Sequence, residues 1–259
     1  MMRFCSLGSG SEGNALVVEV KDGISTSRVM MDCGFGLAET EARLARVGLA
    51  PDDLDAIVVT HEHSDHIGGV ARMARKHRIP VWMTHGTARV LSERAIPSPL
   101  LSYIDPHQRF SIGGVEVTPY TVPHDAYEPV QFVFSDGASR VGVLTDVGST
   151  TAHIEESLAA CEALVLEANH DVSMLQDGPY PPSLKKRVSG KFGHLDNDTA
   201  AALLGRLKHG GLRHVVAAHL SRQNNTPDLA RTAFAAVMGC AVSEIGLACQ
   251  DEGFGWLEC

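Results

Sequence analysis

The amino-acid sequence predicts an α/β fold in which two facing β-sheets carry helices on their outer sides. Short apolar runs alternate with amphipathic helical stretches, and this β-then-α order occurs twice along the chain. Length adds a third indication. The 259 residues hold no linker-like or low-complexity segment and suffice for one large domain, 1–259, with a full core.

Residues 3–7 and 15–20 read as strands, and the loop between them, Gly8-Ser9-Gly10-Ser11-Glu12-Gly13, matches a Gly-x-Gly-x-x-Gly nucleotide fingerprint. That fingerprint requires a helix after the glycines. The apolar run 15–20 is a strand instead, so the loop is a hairpin, whose Ser11 and Asn14 are candidates to line a phosphate pocket. Residues 28–31 form a strand that ends in Asp32-Cys33-Gly34, and a helix over 38–47 stops at Gly48 before a turn at Pro51. A buried strand at 56–59, a helix at 70–78, a strand at 79–83 and a helix near 86–94 follow. The Pro-containing segment 96–106 reads as a loop, and strands near 109–121, 130–135 and 139–145 as an antiparallel sheet. The second half continues with a buried strand at 163–167 and a helix at 196–208, capped by Asp196 or Asn197. A strand at 214–218, a helix at 228–239 and a closing strand at 253–258 complete it.

The composition, 44% hydrophobic and 5% aromatic, is ordinary for an α/β protein. Six cysteines lie scattered without a Cys-x-x-Cys pair, which argues against a zinc ribbon and for reduced thiols in a cytoplasmic protein. No charged n-region with an apolar h-region opens the sequence, and no run reaches membrane length, so neither a secreted nor a membrane-bound protein is expected. The formal charge of −9 disfavours an anionic partner, but two bound dications and a local Lys/Arg cluster reverse the sign at a site.

The chemistry concentrates in Thr60-His61-Glu62-His63-Ser64-Asp65-His66-Ile67-Gly68-Gly69, between the strand 56–59 and the helix 70–78. His61 and His63, two apart at a strand end, point to one side, and a turn into the helix brings Asp65 and His66 to join them. Structural zinc favours closed, Cys-rich ligand sets, whereas His and Asp with open positions suit catalytic zinc or manganese. His124 leaves a strand at a Pro-fixed corner, and Asp146 and His219 end apolar strands. With the first cluster they make five His and two Asp, enough for two metals with one Asp bridging. His77, His85, His107, His153, His209 and His214 are read as solvated.

The ordered set His-x-His-x-Asp-His, His124, Asp146 and His219 resembles the metallo-β-lactamase superfamily across nearly the whole chain. The resemblance implies an αββα four-layer sandwich of two facing mixed sheets with helices outside. It places His61, His63 and His124 on one metal, Asp65, His66 and His219 on the other, Asp146 as the bridge, and Asp32 behind a ligating His. A second signature is Glu167-Ala168-Asn169-His170-Asp171, Tyr180 to Val188 with Lys185, Lys186 and Arg187, and Gly193-His194-Leu195-Asp196-Asn197. With Ser9 to Asn14 and Pro123-His124-Asp125-Ala126, it resembles the YycJ/WalJ group of that superfamily. Where the group often carries Ser after Gly-His-Leu, this chain has Asp196. Membership implies a dinuclear zinc or manganese hydrolase, a 5′-to-3′ exonuclease on double-stranded DNA that uses a hydroxide held between two metals.

Phosphodiester cleavage also fits the residues themselves. Asp65 can orient the attacking hydroxide, and His194 can serve the phosphate or protonate the leaving oxygen, held in the useful tautomer by Glu167. His170, Lys185 and Arg187 are further candidates for substrate contact. The alternative is a small-molecule metallo-hydrolase, such as a glyoxalase II-, lactonase- or cyclic-phosphodiesterase-like enzyme, which needs no Lys/Arg cluster with a distal His. A non-catalytic metal-binding partner protein is a third reading, disfavoured by the intact ligand set.

Overall fold

The near-continuous apolar runs of the first strands imply a sheet covered on both faces, and the computed structural model shows what covers each. It describes residues 1–23, 25–91 and 95–259. Among these, two seven-stranded mixed sheets face each other. Within the first, β1 (Met2–Gly8), β2 (Ala15–Asp22) and β3 (Ser25–Met31) are antiparallel neighbours. Next come β4 (Ala56–Val58), β5 (Val81–Met83) and β6 (Leu101–Tyr103), parallel to β3 and to one another. The second sheet starts with the antiparallel β7 (Phe110–Ile112), β8 (Val115–Thr121), β9 (Val130–Ser135) and β10 (Arg140–Leu144). It continues with the parallel β11 (Ala163–Glu167), β12 (His214–Ala218) and β13 (Gly246–Leu247). The last strand, β14 (Phe254–Glu258), returns to the first sheet beside β1.

Period-two alternation divides the apolar residues among three layers. On β2, Leu16, Val18 and Val20 enter the core between the sheets, while Ala15 and Val17 face outward. On β11, Ala163 and Val165 face inward, while Leu164 and Leu166 face the outer helices. Outside the first sheet lie α1 (Leu37–Arg46), the short α2 (Ser64–Ile67), α3 (Val70–His77) and α4 (His85–Ala88). Leu44, Val70 and Met73 seal that face. Outside the second lie α5 (Ala152–Leu158), α6 (Val172–Asp177), α7 (Pro182–Val188), α8 (Asn197–Leu207) and α9 (Pro227–Met238). Ile154, Leu203 and Phe234 are fully buried beneath them. Each such large side chain stabilises the fold by about 1.5–3 kcal/mol. Helix, sheet, sheet, helix is the four-layer order expected.

Several boundaries differ from the sequence reading. The helix expected near 86–94 ends at Ala88, and residues 92–94 lie outside the described residues. The loop 96–106 contributes β6, an edge strand too short to show an alternating pattern. The stretch 109–121 is a hairpin, reversed at Gly113 with φ 56°. Helices α5, α6 and α7 are six or seven residues each, below the length at which helical periodicity can be read. The loop 8–14 joins two antiparallel strands, so no helix follows its glycines and no dinucleotide site exists there. The cysteines are free, and no helix among the described residues is long and apolar enough to cross a membrane.

Candidate metal centre and cleft

Strands β3, β10 and β12 end alike. Asp32 and His219, directly after β3 and β12, and Asp146, two residues past β10, have φ of 60°, 55° and 52°, the left-handed region that non-glycine residues seldom occupy. Each such backbone costs on the order of 1–3 kcal/mol and persists only where surroundings enforce it. Here it turns three polar side chains from the ends of both sheets toward one place. Strand β4 stops at Val58, earlier than expected, so His61 and His63 lie in the following loop and not on the strand itself. Their convergence therefore comes from the loop, which Asp32 anchors by accepting from the Thr60 N–H at 2.8 Å and the Thr60 hydroxyl at 2.9 Å. Gly34 permits the close approach of this segment, since a Cβ there would sit 1.8 Å from the Asp65 carbonyl oxygen.

Three of the imidazoles have one nitrogen committed to a partner outside the ligand cluster. His66 donates Nδ1–H to Asp32 at 2.8 Å, His124 donates to the Gly193 carbonyl at 3.1 Å, and His219 donates to Glu167 at 2.9 Å. The remaining nitrogens converge. His124 Nε2 and His63 Nδ1 lie 3.2 Å apart, and His66 Nε2 lies 3.0 Å from Asp146 Oδ2. His219 Nε2 is 3.6 Å from both Asp65 Oδ2 and Asp146 Oδ1. His63 Nδ1 can donate to His124 Nε2, but for His66 and His219, whose Nδ1 already donates, the carboxylate contacts bring lone pairs face to face unless a proton or a cation sits between them. His61 Nε2, His219 Nε2 and Asp146 Oδ2 are buried without a hydrogen-bond partner. Three convergent groups emerge among the described residues: His61, His63 and His124; Asp65, His66, Asp146 and His219; and, overlapping the second, Asp146, Glu167, His194 and His219. In each set the donor atoms lie within 4.8 Å of one another. Buried polar atoms without partners are costly, and an array of them aimed at one point fits a divalent cation.

The electrostatics agree. Burial lowers His219, but the Asp146 carboxylate together with Asp65 and Glu167 overrides it and pushes the imidazole up to about 10. Burial would raise Asp146, yet His219 and His66 hold it well below the usual carboxylate range. Glu167 is fully buried, and burial would raise it too, but the His194 and His219 imidazoles bring it down to about 2. The site therefore binds positive charge strongly, from protons or from metal.

Glu167 does more than support His194. It accepts Nδ1–H from both His194 at 2.8 Å and His219 at 2.9 Å, and also the backbone N–H of Asp146, Val147 and Leu195. One carboxylate thus positions a candidate metal ligand, the distal His and the strained turn at Asp146. Gly148 lets that turn pack on the His194 segment, since a Cβ there would lie 2.4 Å from the Gly193 nitrogen. The Gly193 carbonyl and the Thr60 hydroxyl orient ring nitrogens, roles that residue type alone does not signal.

A cleft of about 380 Å³ opens over the cluster. Ser11, His63, Asp65, Arg187, His194 and His219 are on its walls. Three expected substrate contacts depart from this picture. Asn14 does not line the cleft: it is buried, accepting from the Ser9 hydroxyl and the Gly10 N–H and donating to Gly10 and Asp65, so it positions Asp65 instead. His170 and Lys185 line a neighbouring pocket rather than the cleft. The Lys185-Lys186-Arg187 run thus does not act as one patch, and Arg187 is paired with Asp125 at 2.6 Å. Asp196 is the N-cap of α8, accepting from the Thr199 N–H and hydroxyl. Among the histidines read as solvated, His77 and His214 are half-buried and hydrogen-bonded, to Glu41 and to the Glu258 carbonyl.

Known proteins place this geometry in a family. A family model described as a beta-lactamase superfamily domain matches residues 27–220. The chain is 32% identical to the exodeoxyribonuclease YycJ of Bacillus anthracis, over 98% of this chain and 91% of that protein. It is 30% identical to the exodeoxyribonuclease WalJ of Streptococcus pneumoniae serotype 2, over 88% and 85%. In fold it is similar to the metallo-beta-lactamase fold protein YhfI from Bacillus subtilis, with TM-score 0.73 at 16% identity over the full length of both chains. Human tRNase Z, short form, superposes with TM-score 0.63 at 15% identity over 99% of this chain and 98% of that one. The chain belongs to the metallo-β-lactamase superfamily of hydrolases, within the group that contains YycJ and WalJ.

Proposed function

We propose that this hydrolase is a metal-dependent phosphodiesterase that degrades double-stranded DNA from the 5′ end, working in the cytoplasm as a single domain over 1–259. His61, His63 and His124 would hold one zinc or manganese ion, and Asp65, His66 and His219 a second, with Asp146 a further ligand shared by the site. Such ions would supply a water of lowered pKa and screen the phosphate charge. Asp65, on the cleft wall, orients the attacking water. Asp32 and Glu167 fix the rings of His66 and His219 from behind, so their Nε2 lone pairs stay aimed inward.

The observation that carries this reading is His194. It sits on the cleft wall beside the ligand cluster, and its Nδ1 is held by Glu167. Its Nε2 is therefore the nitrogen left to meet a non-bridging phosphate oxygen or to give its proton to the leaving oxygen. The names of the YycJ and WalJ relatives support DNA as the substrate. A small-molecule reading also has an observation behind it. The Asp125 carboxylate offsets the positive charge of Arg187 in the cleft, and the chain carries −9 overall.

The deciding experiment incubates Mn²⁺- or Zn²⁺-loaded protein with end-labelled duplex DNA, single-stranded DNA, RNA, a thioester and a lactone. Progressive shortening of the duplex from its 5′ end is expected. Hydrolysis confined to the thioester or the lactone would transfer the assignment to the small-molecule class.

A further inference from the structure

Aromatic side chains are scarce in this chain, two Trp, four Tyr and eight Phe, and among the described residues only Tyr103, Tyr127 and Phe192 are exposed. All three belong to one band beside the metal cleft. Tyr103 stacks on His85 with ring centroids 3.9 Å apart, and His85 opens α4. Arg89, directly after α4, lays its guanidinium 5.2 Å over the Tyr127 ring, and the Gly86 N–H of α4 donates to Glu128, the next residue, at 2.6 Å. Two residues before Tyr127, Asp125 lines the cleft, and its N–H donates to the Phe192 carbonyl at 3.0 Å. The Tyr127 N–H donates at 2.8 Å to Glu62, which stands between the candidate ligands His61 and His63. The backbone that carries both rings is thus tied to the rim of the cleft, while the rings themselves stay 64% and 61% exposed. The charges around them favour an anion. Arg89 and the exposed Lys191, beside Phe192, are cations, whereas the acids of this rim are already engaged. Glu62 accepts the Tyr127 N–H with its other oxygen buried, Glu128 accepts the Gly86 N–H, and Asp125 is paired with Arg187.

From this we infer that Tyr127 and Phe192 form a stacking platform for unpaired nucleobases, which holds a parted DNA strand at the mouth of the cleft with Arg89 and Lys191 toward its phosphates. The inference rests on the phosphodiesterase reading of the cleft. Flat rings exposed one by one, each beside a cation, suit bases on a charged backbone better than the continuous apolar face of a protein partner, and Arg89 adds a cation–π contact behind Tyr127. Stacking tolerates any sequence, because every base has a π-face, so the platform adds affinity without selecting a sequence. It also requires the duplex to be opened, since a base paired within a helix already has its faces covered. The size of the cleft agrees. At about 380 Å³ it lies near the lower end of the range of about 300–1,000 Å³ that holds one small ligand, so it admits units of one strand and not a base-paired end.

The test uses metal-loaded protein and two short phosphorothioate-linked single strands that resist cleavage, one of deoxyadenosine and one abasic of equal length. Bis(p-nitrophenyl) phosphate serves as a small diester. The parent should bind the adenine strand more tightly than the abasic one. Tyr127→Ala and Phe192→Ala should each weaken the adenine strand by about tenfold, the scale of one base on one ring, and leave the abasic strand unaffected. Tyr127→Trp should keep the preference for bases, whereas Tyr127→Leu, apolar but without a ring face, should lose it. Both positions are more than half exposed, so these variants should fold as the parent does and hydrolyse the small diester unchanged. If the parent binds the two strands alike, or the alanine variants keep the preference, the inference is overturned, while diester hydrolysis leaves the phosphodiesterase reading intact. If no phosphodiester is hydrolysed but the two rings still govern the preference for bases, the phosphodiesterase reading fails and the platform stands. A parent that self-associates where the double alanine variant stays monomeric would assign the rings to a second copy of the chain and overturn the inference.

Discussion

Two buried charge clusters in this molecule make opposite use of a carboxylate. On β2, the Glu19 side chain is fully buried and receives Arg3 Nε at 2.6 Å and Arg28 Nε at 2.7 Å, one on each oxygen. At the end of β10, Asp146 is equally buried, yet its Oδ2 has no hydrogen-bond partner and faces an imidazole nitrogen whose ring already donates elsewhere. The first cluster is complete within the protein and stabilises the fold. The second is completed only by a cation, and its backbone is held in a left-handed conformation to keep it that way. Satisfied buried charge indicates structure, whereas convergent unsatisfied charge indicates function.

The comparison is tested hardest at Asp146. Asp146→Ala should abolish turnover, a loss of at least about three orders of magnitude, while the unfolding free energy of the metal-free protein moves by no more than about 1–2 kcal/mol. Elemental analysis of loaded parent protein should give two metal equivalents; no more than one would end the dinuclear mechanism. Near-normal turnover in the variant would show that Asp146 does not bridge.

His194 separates chemistry from metal binding within the unsatisfied cluster. His194→Ala should retain both metals and lose roughly two to four orders of magnitude in DNA cleavage rate, the range of acid–base groups. Full activity in that variant would remove the main support for phosphodiester cleavage outside the ligand set.

The smallest effect belongs to the satisfied cluster. Glu19→Gln leaves Arg3 without its countercharge and Arg28 with only Asp53 at 3.7 Å, and since both guanidiniums are partly exposed the expected destabilisation is about 2–3 kcal/mol at neutral pH. Burial raises the Glu19 carboxyl, but Arg3 and Arg28 outweigh it and hold it below its ordinary 4.5. A depressed folded pKa means that the stabilisation is fully present above 4.5 and is lost as pH falls through the folded value. Denaturant melts should show parent and variant converging on acidification. A gap that persists or widens at low pH would assign the loss to packing instead of charge.

These regions were unequally legible before folding. Most strands could be read because a short apolar run is a local property, and β2 and β11, apolar on both faces, lie between an inner and an outer core as such runs require; β6 and β13, three and two residues long, carry no such signal. The ligand types at 61–66 were legible because four of them fall within six residues, and Asp146 and His219 because a polar residue ending an apolar run is conspicuous. The sequence suggests Glu167 beside His194, but carries no sign of its equal hold on His219, 52 residues away.

What the sequence by itself determined is therefore the layer order, the donor atoms and their rough grouping. Those follow from burial preference and residue chemistry, which act residue by residue. Tertiary packing alone decided that Asn14 is spent on Asp65, that Arg187 closes on Asp125 62 residues away, and that Lys185 turns to a second cavity. It also decided that His61 and His63 converge from a loop anchored by Asp32 and not from a strand end. The physical reason is the same in each case. A hydrogen bond or ion pair is specific only between groups already brought within about 3 Å, and distant segments reach that range through the packing of the whole sandwich.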